Sequence, residues 1–490
     1  MQCKIDLETH EFINTAVELT INFNEPFSPQ GFENAFRQYL SNDNEEALEN
    51  VSRCITSAEN ATPAFLTALA ASLRRSQSNE DDANLRIAQK NFQTSKKIEN
   101  SRVPSHGKRW GSYFDRLGKK ISNFQSVYEA IWFGQASGGF DHRSKPDRHQ
   151  GFFELFEAVL GDIHPTSVGE MIHFSESKYS LPTSLKILNG RTMSNIAYLH
   201  MHYVLTCLNQ VKNPQKILEI GAGYGGTVRM WLKNPLYRPR EYYILDSPES
   251  LFFAETFLVK EFGRSMVCYA DSPDALGKGC GATIFLVPLS LFAELLSKKV
   301  DLVINTGSIG EMSELWVDFY EAFLDQIDAR NLFSFNFFGQ PINHMCEGEN
   351  LWGPRLSRKW RPLSFNTCEL LTKVQCPGRN LLEAFYEKFD QPQDSTAYSV
   401  KGIREILGQR KLTLGAFAEL MDTLRFDKDP SWMSPFLRQI EKEMKPIPKE
   451  ALWIAEQLDK SGSIETFPFL QKYRDFRKSG NEACAQFFDL

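Results

Sequence analysis

The sequence predicts an α/β fold, a parallel sheet with helices on both faces, carrying helical N-terminal and C-terminal regions. Two observations point there. Between about residues 209 and 365, short β-rich runs alternate with helical stretches. One of those runs leads straight into a glycine-crowded turn with a helix behind it.

In chain order, residues 11–75 read as helical. Phe32, Phe36 and Tyr39 recur at helical spacing, and Ala64 to Leu73 is rich in helix formers. Ser76 to Asp82 reads as a polar loop. Ala83 to Lys119 is charged and weakly periodic, with a break near Pro104-Ser105-His106-Gly107. Phe124–Phe133 is an amphipathic helix closed by Gly138-Gly139, and Phe152–Leu160 is a shorter one. Leu185–Leu188 followed by Asn189-Gly190 signals a turn, and a long pattern runs from Met193 to Leu208.

The α/β stretch comes next. Its strands are expected at Lys216–Ile220, Tyr242–Leu245, Thr283–Val287, Leu302–Asn305 and Leu332–Phe337, with Val267–Ala270 a further candidate. The helices between them are Gly226–Leu232, Ser250–Phe262, Ser290–Leu296 and Glu314–Ile327. Beyond residue 365 the chain again reads as helical, at Leu381–Phe389, Val400–Leu407, Leu414–Leu424, Pro435–Met444 and Lys449–Leu458. Four regions follow: an N-terminal helical region (1–109), a helical cap (110–208), the α/β domain (209–365) and a C-terminal helical region (366–490). The helical flanks are candidates for packing or self-association.

A formal charge of −6 argues against a broad nucleic-acid footprint, which needs a basic face. The opening residues have no apolar signal core. The longest apolar run, Ala282 to Leu296, is broken by Pro288 and Ser290 and is too short to span a membrane. The 9 cysteines are scattered with no C-x-x-C pair, which reads as a reducing cytoplasmic setting and speaks against zinc.

The chemistry concentrates at Lys216–Gly226. The apolar Ile217-Leu218 enters the loop, Glu219 stands two residues before Gly221, and Gly221, Gly223, Gly225 and Gly226 crowd the turn. Glycines allow positive φ and let a ligand touch the backbone, and the helix start offers free N–H groups. Gly221-Ala222-Gly223-Tyr224-Gly225-Gly226 satisfies G-x-G-x-x-G, which by itself also fits the pyrophosphate of a nicotinamide dinucleotide. A carboxylate at 219 instead suits a ligand bearing an ammonium group, as S-adenosyl-L-methionine does. Asp246 ends the next strand about twenty residues on, where a carboxylate accepts from ribose hydroxyls. Its alternative role is a cap for the helix after it, a role Ser247 can fill instead. Gly221, Ala222, Gly223, Tyr224, Gly225, Ser247 and Asn305 complete the expected cofactor lining.

Three motifs resemble the sugar O-methyltransferases of bacterial polysaccharide and secondary-metabolite clusters. They are Ile217 to Gly226, Ile244-Leu245-Asp246-Ser247-Pro248-Glu249, and Asp301 to Met312. Glu176 to Pro182 followed by Asn189-Gly190-Arg191 is similar to the segment preceding the domain in that family. The resemblance covers about residues 110–365. It implies a class I methyltransferase, Rossmann-like sheet and methyl transfer from S-adenosyl-L-methionine to a hydroxyl on a sugar, nucleotide sugar or glycosylated metabolite.

Such a transfer needs a base beside the acceptor oxygen. Glu311, in the loop after the strand ending at Asn305, is the first candidate, with a helix-start carboxylate as its alternative role. His344 is the second. Asn336, Glu176 and Tyr179 are candidates for lining the acceptor pocket, and Asn343 stands beside His344 after the fifth strand. Arg355, Arg358, Lys359 and Arg361, around Trp352 and Trp360, suit a diphosphate or a solvated basic face. His173, His200 and His202 lie upstream. His200 and His202, two apart on a helix, face different ways and do not share a metal, and no carboxylate cluster calls for one. Two other functions compete: a nicotinamide-dependent oxidoreductase, and a non-catalytic interaction protein on a relic fold.

Overall fold

The structure is a computed structural model that describes residues 29–42, 48, 51, 71–102, 108–137, 152–165, 174–182, 185–188, 191–234, 237–276, 281–309, 312, 314–337, 359–368, 370 and 381–390. The helices expected between residues 400 and 458, the breaks at 104–107 and 138–139 and the turn at 189–190 lie outside them.

In chain order the elements are α1 (Pro29–Asn42), α2 (Asn79–Arg102), α3 (Lys108–Ile121), α4 (Val127–Ser137), α5 (Phe152–Ile163), β1 (Lys186–Leu188), β2 (Arg191–Met193), α6 (Asn195–Gln210) and β3 (Lys216–Ile220). Then come α7 (Gly226–Lys233), β4 (Glu241–Asp246), α8 (Pro248–Phe262), β5 (Val267–Tyr269), β6 (Ile284–Pro288), α9 (Phe292–Leu295) and β7 (Lys299–Thr306). α10 (Glu314–Gln326), β8 (Asp328–Phe337), β9 (Trp360–Thr367) and β10 (Leu381–Lys388) complete the set. Among the described residues eight strands form one sheet in the order β5-β6-β4-β3-β7-β8-β10-β9, while β1 and β2 make a separate antiparallel pair. The α/β expectation holds: the sheet starts at β3 and winds outward on both sides, the doubly wound Rossmann-like plan.

The chain divides into two compact units, residues 11–304 and residues 305–490 with 1–10, the boundary falling inside β7. In the first unit β3, β4, β5 and β6 are mutually parallel. β6 reads as a continuous apolar run, and β3 is buried from Ile217 to Ile220, because parallel strands are covered on both faces. α8 packs on β4, β5 and β6, and α2 packs on α8. Its ends are chemically marked: Ser247 caps it by accepting from the Ser250 N–H, Pro248 opens it and Gly263 closes it.

α2 runs antiparallel to α8, and the polar contacts are ordered accordingly. Asp81 accepts from Lys260 Nζ at 2.8 and 2.9 Å, Asn91 donates to Glu255 at 2.9 Å, and Lys96 pairs with Glu249 at 2.6 Å. The residues expected to loop at 76–82 instead start α2 at Asn79. Ser78 and Asp81 form a reciprocal cap, each accepting from the other's backbone N–H at 3.1 and 3.0 Å. Beneath lies an aromatic core in which Phe124 stacks on Phe252 with centroids 6.0 Å apart and Phe133 meets Phe253 at 5.8 Å.

In the second unit β10 pairs antiparallel with β8 on one side and β9 on the other. This corrects the helix expected at Leu381–Phe389. Leu, Ala, Glu and Lys favour helix locally, yet a strand hydrogen-bonded on both edges with Glu383 to Tyr386 all buried outweighs that preference. Lys388 closes α10 by donating to the Leu324 and Ile327 carbonyls at 2.7 and 2.6 Å, and burial pulls its ammonium down to about 8. Among the described residues no helix is long and apolar enough to cross a membrane.

Candidate functional site

The carboxyl ends of β3 and β4 build the site. Register fixes which side chains meet. Glu219 pairs with Ile244 and Ile217 with Tyr242, in parallel. Side chains alternate along a strand and paired residues of parallel strands share a face. Glu219, Tyr242 and Asp246 therefore lie on one face, with the glycine turn above them.

Glu219 is wholly buried. Its Oε2 accepts from the Tyr242 hydroxyl at 2.9 Å, while its buried Oε1 has no hydrogen-bond partner. Burial pushes its carboxyl up to about 7, the Tyr242 and Thr227 hydroxyls hold it from rising further, and the nearby Asp246 charge pushes it upward. An acidic oxygen left bare inside a protein is costly unless a ligand reaches it. It is the donor-poor end of a site that fits an ammonium.

Asp246 is half-buried at the strand end. Its Oδ1 accepts from the Ser247 N–H at 2.7 Å and its Oδ2 from the Gly223 N–H at 3.2 Å. Burial raises its carboxyl to about 6, against these backbone donors. Ser247 is the cap of α8, so the capping alternative for Asp246 falls away.

The turn needs its glycines. Gly221, Gly223 and Gly225 have φ of 73, 57 and 90°, the left-handed region that side chains resist. A Cβ at Gly223 would meet nothing within 4 Å, so that residue leaves open space beside the backbone. Gly221 N–H donates to the Leu245 carbonyl at 3.0 Å, tying the loop to β4. Ala222 and Tyr224 are buried in the loop, Tyr224 edge-on to Phe257 at 5.2 Å. Six of the expected cofactor residues, Glu219, Gly221, Ala222, Gly223, Tyr224 and Gly225, and their partners Asp246 and Ser247 thus stand together.

Asn305 lies in the second unit with Asn336. Both are buried, and the Asn336 amide donates to Asn305 Oδ1 at 2.9 Å and to Ser334 Oγ at 2.8 Å. Asn305 also bonds Ser308 and accepts from the Ile309 N–H at 3.4 Å, so it shapes the loop after β7. Gly307, with φ of 72°, donates its N–H to the Phe335 carbonyl at 2.7 Å in the same loop.

Glu176 is buried in a network of its own. It accepts from the Ser177 N–H at 2.8 Å and from Ser194 Oγ at 2.6 Å, and Arg229 lies 3.6 Å away. Arg229 also holds Glu261 at 2.9 Å, which with Lys233 keeps the Glu261 carboxyl down at about 2 despite burial. Tyr179 is half-buried, its ring 4.9 Å from Lys260 Nζ. His200 and His202 do face apart. His200 lies by Tyr224, their rings 6.0 Å apart, while His202 meets His164 ring to ring, Nδ1 to Nε2, at 3.0 Å. Glu311, His344, His173, Asn343, Trp352, Arg355 and Arg358 lie outside the described residues. Trp360 is buried on β9 beneath Lys388, with its ring 5.3 Å from Nζ.

The Tyr242–Glu219 bond escaped the sequence reading, which saw in Tyr242 only a strand residue. Its partner is set by the β3–β4 register, and no local pattern carries that.

No family model matches the chain, and no curated protein does. Among solved structures it is similar to the methyltransferase domain of bacterial CtHen1, at 14% identity over 39% of this chain and 100% of that one, with a TM-score of 0.27. It is also similar to M. capricolum TrmK in complex with S-adenosyl-homocysteine, at 14% identity over 48% of this chain and 94% of that one, TM-score 0.25. A third is the N-terminal domain of EvdMO1 in the presence of S-adenosyl-homocysteine and D-fucose, at 13% identity over 47% and 96%, TM-score 0.26. At such scores these likenesses carry no weight, and the functional reading rests on this chain's own residues.

Proposed function

We propose that this chain is an S-adenosyl-L-methionine-dependent O-methyltransferase whose acceptor is a sugar hydroxyl. One observation carries the cofactor: two carboxylates on one face of adjacent strands flank a glycine turn, and the buried one has a bare oxygen. Glu219 Oε1 would take the ammonium of the methionine moiety, Asp246 the ribose hydroxyls, and the turn at Gly221–Gly225 the backbone contacts between them. A dinucleotide pyrophosphate in the same place would meet Glu219 with like charge, which disfavours the nicotinamide reading.

When bound, the cofactor supplies an electrophilic methyl group on a sulfonium. The chain's share is to hold the acceptor oxygen in line and to accept its proton. We assign the base to Glu311 or His344 and acceptor contacts to Glu176, Tyr179 and Asn336. The motif resemblance supports the sugar acceptor. Glu176 and Asn336 also hold neighbouring loops in place through their internal bonds.

Calorimetric titration with S-adenosylhomocysteine and with NADH tests the cofactor. Binding of the first and not the second is expected, and the reverse would overturn the reading. A radiolabelled methyl-transfer screen against nucleotide sugars and glycan extracts tests the acceptor. Label transferred only to RNA or protein would overturn it.

A further inference from the structure

We infer that Tyr242 is a positioning residue for the cofactor's amino group: its hydroxyl grips one oxygen of Glu219 and leaves the other for an ammonium. This rests on the cofactor reading above and assigns a task to a side chain outside the glycine turn.

The geometry has three parts. Tyr242 and Glu219 come from neighbouring parallel strands and share a face. Both are wholly buried, so no water competes for the bond. The bond runs to Oε2 at 2.9 Å, and Oε1 is the atom without a partner. A carboxylate has two oxygens and about four acceptor positions, whereas an ammonium brings three donors. Fixing one oxygen removes the rotational freedom that a lone glutamate would lose on binding.

The hydroxyl also acts on charge. Burial and the Asp246 charge disfavour ionised Glu219, while the Tyr242 phenol, with the Thr227 hydroxyl beside it, favours the ionised form. Tyr242 stays a donor because burial and Glu219 push its own ionisation well above the ordinary range. Without the phenol, Glu219 would hold its proton to higher pH. A neutral acid is a poor partner for an ammonium.

The test is Tyr242→Phe, which keeps the ring and removes the donor. Two ligands separate the roles: S-adenosylhomocysteine, which carries the amino acid, and 5′-methylthioadenosine, which has the same nucleoside and thioether without it. At pH 7 the variant should bind S-adenosylhomocysteine about fivefold more weakly, because a one-unit rise from about 7 cuts the ionised fraction of Glu219 from about a half to about a tenth. Most of that loss should return at pH 8, where Glu219 ionises again. Binding of 5′-methylthioadenosine should not change at either pH. Glu219→Gln provides the second arm: on that background Tyr242→Phe should cost nothing further for S-adenosylhomocysteine. Equal weakening for both ligands, or unchanged S-adenosylhomocysteine affinity at pH 7, would overturn the positioning role while leaving the cofactor reading intact. Wild-type protein that binds neither ligand would instead overturn the cofactor reading itself, and with it the task assigned to Tyr242.

Discussion

The imidazole of His200 occupies the space that a side chain at residue 226 would need. A Cβ built on Gly226 would lie 2.1 Å from His200 Cε1 and 2.7 Å from the Tyr224 hydroxyl. The first residue of α7 is therefore packed directly on α6, and that contact sets the height of the helix start under the glycine turn. Gly226→Ala should destabilise the protein by about 1–3 kcal/mol through overpacking. Chemical denaturation measures it, and His200→Ala on that background should recover part of the loss.

Asp246→Ala should weaken S-adenosylhomocysteine and 5′-methylthioadenosine alike, by about a hundredfold, because it removes a ribose acceptor and frees the Gly223 and Ser247 N–H groups it holds. Glu219→Ala should weaken only the ligand that carries the amino acid. Calorimetry on both variants with both ligands reads the difference directly.

Cofactor affinity should rise with pH between about 5 and 8. Glu219 and Asp246 have carboxyls raised to about 7 and about 6, and both must be ionised to meet an ammonium and ribose hydroxyls. The affinity is thus lost as pH falls through those values. A flat affinity profile for S-adenosylhomocysteine over this window would contradict the assignment.

Glu99 on α2 is buried beside Glu249, its Oε1 has no hydrogen-bond partner, and burial pushes its carboxyl up to about 8. A carboxyl whose folded pKa lies above the unfolded value binds more protons when folded, so stability falls as pH climbs from about 4.5 towards 8. Glu99→Gln, a permanently neutral mimic, should flatten that fall. Thermal melting at pH 6 and pH 8 checks it: wild type should lose more stability between them than the variant.

Arg229→Leu should cost about 3–5 kcal/mol, since it removes the buried cation between Glu261 and Glu176 and leaves Glu261 to Lys233 and Ser177. The Glu261 carboxyl is held at about 2, so its contribution is complete above the ordinary carboxylate range and disappears as pH drops towards 2. The variant's deficit, read by urea denaturation, should therefore shrink in strong acid.

What was legible in the sequence was what local chemistry writes there. The run Lys216–Ile220, the glycines behind it and Asp246 at the next strand end needed no knowledge of neighbours, and all stand where expected. The edge strand at Val267 was visible for the same reason. β10 was not, because Leu381 to Lys388 becomes a strand only through β8 and β9 on either side of it. The Asn305–Asn336 bond and the Tyr242–Glu219 bond were equally hidden. Each joins side chains on consecutive strands, 31 and 23 residues apart, and pairing rather than periodicity brings them together.

The lacing of α2 onto α8 has a practical consequence. Asp81, Asn91 and Lys96 hold Lys260, Glu255 and Glu249, and Ser177 and Glu176 hold Glu261 and Arg229. A fragment cut to begin near residue 209 would keep every residue of the glycine turn, yet it would expose Phe252 and Phe253 to water, take the ion-pair partners from Lys260 and Glu249, and strip one partner each from Glu255, Glu261 and Arg229. Such a trimmed protein should clump rather than bind nucleosides, so the smallest working piece has to start ahead of residue 79.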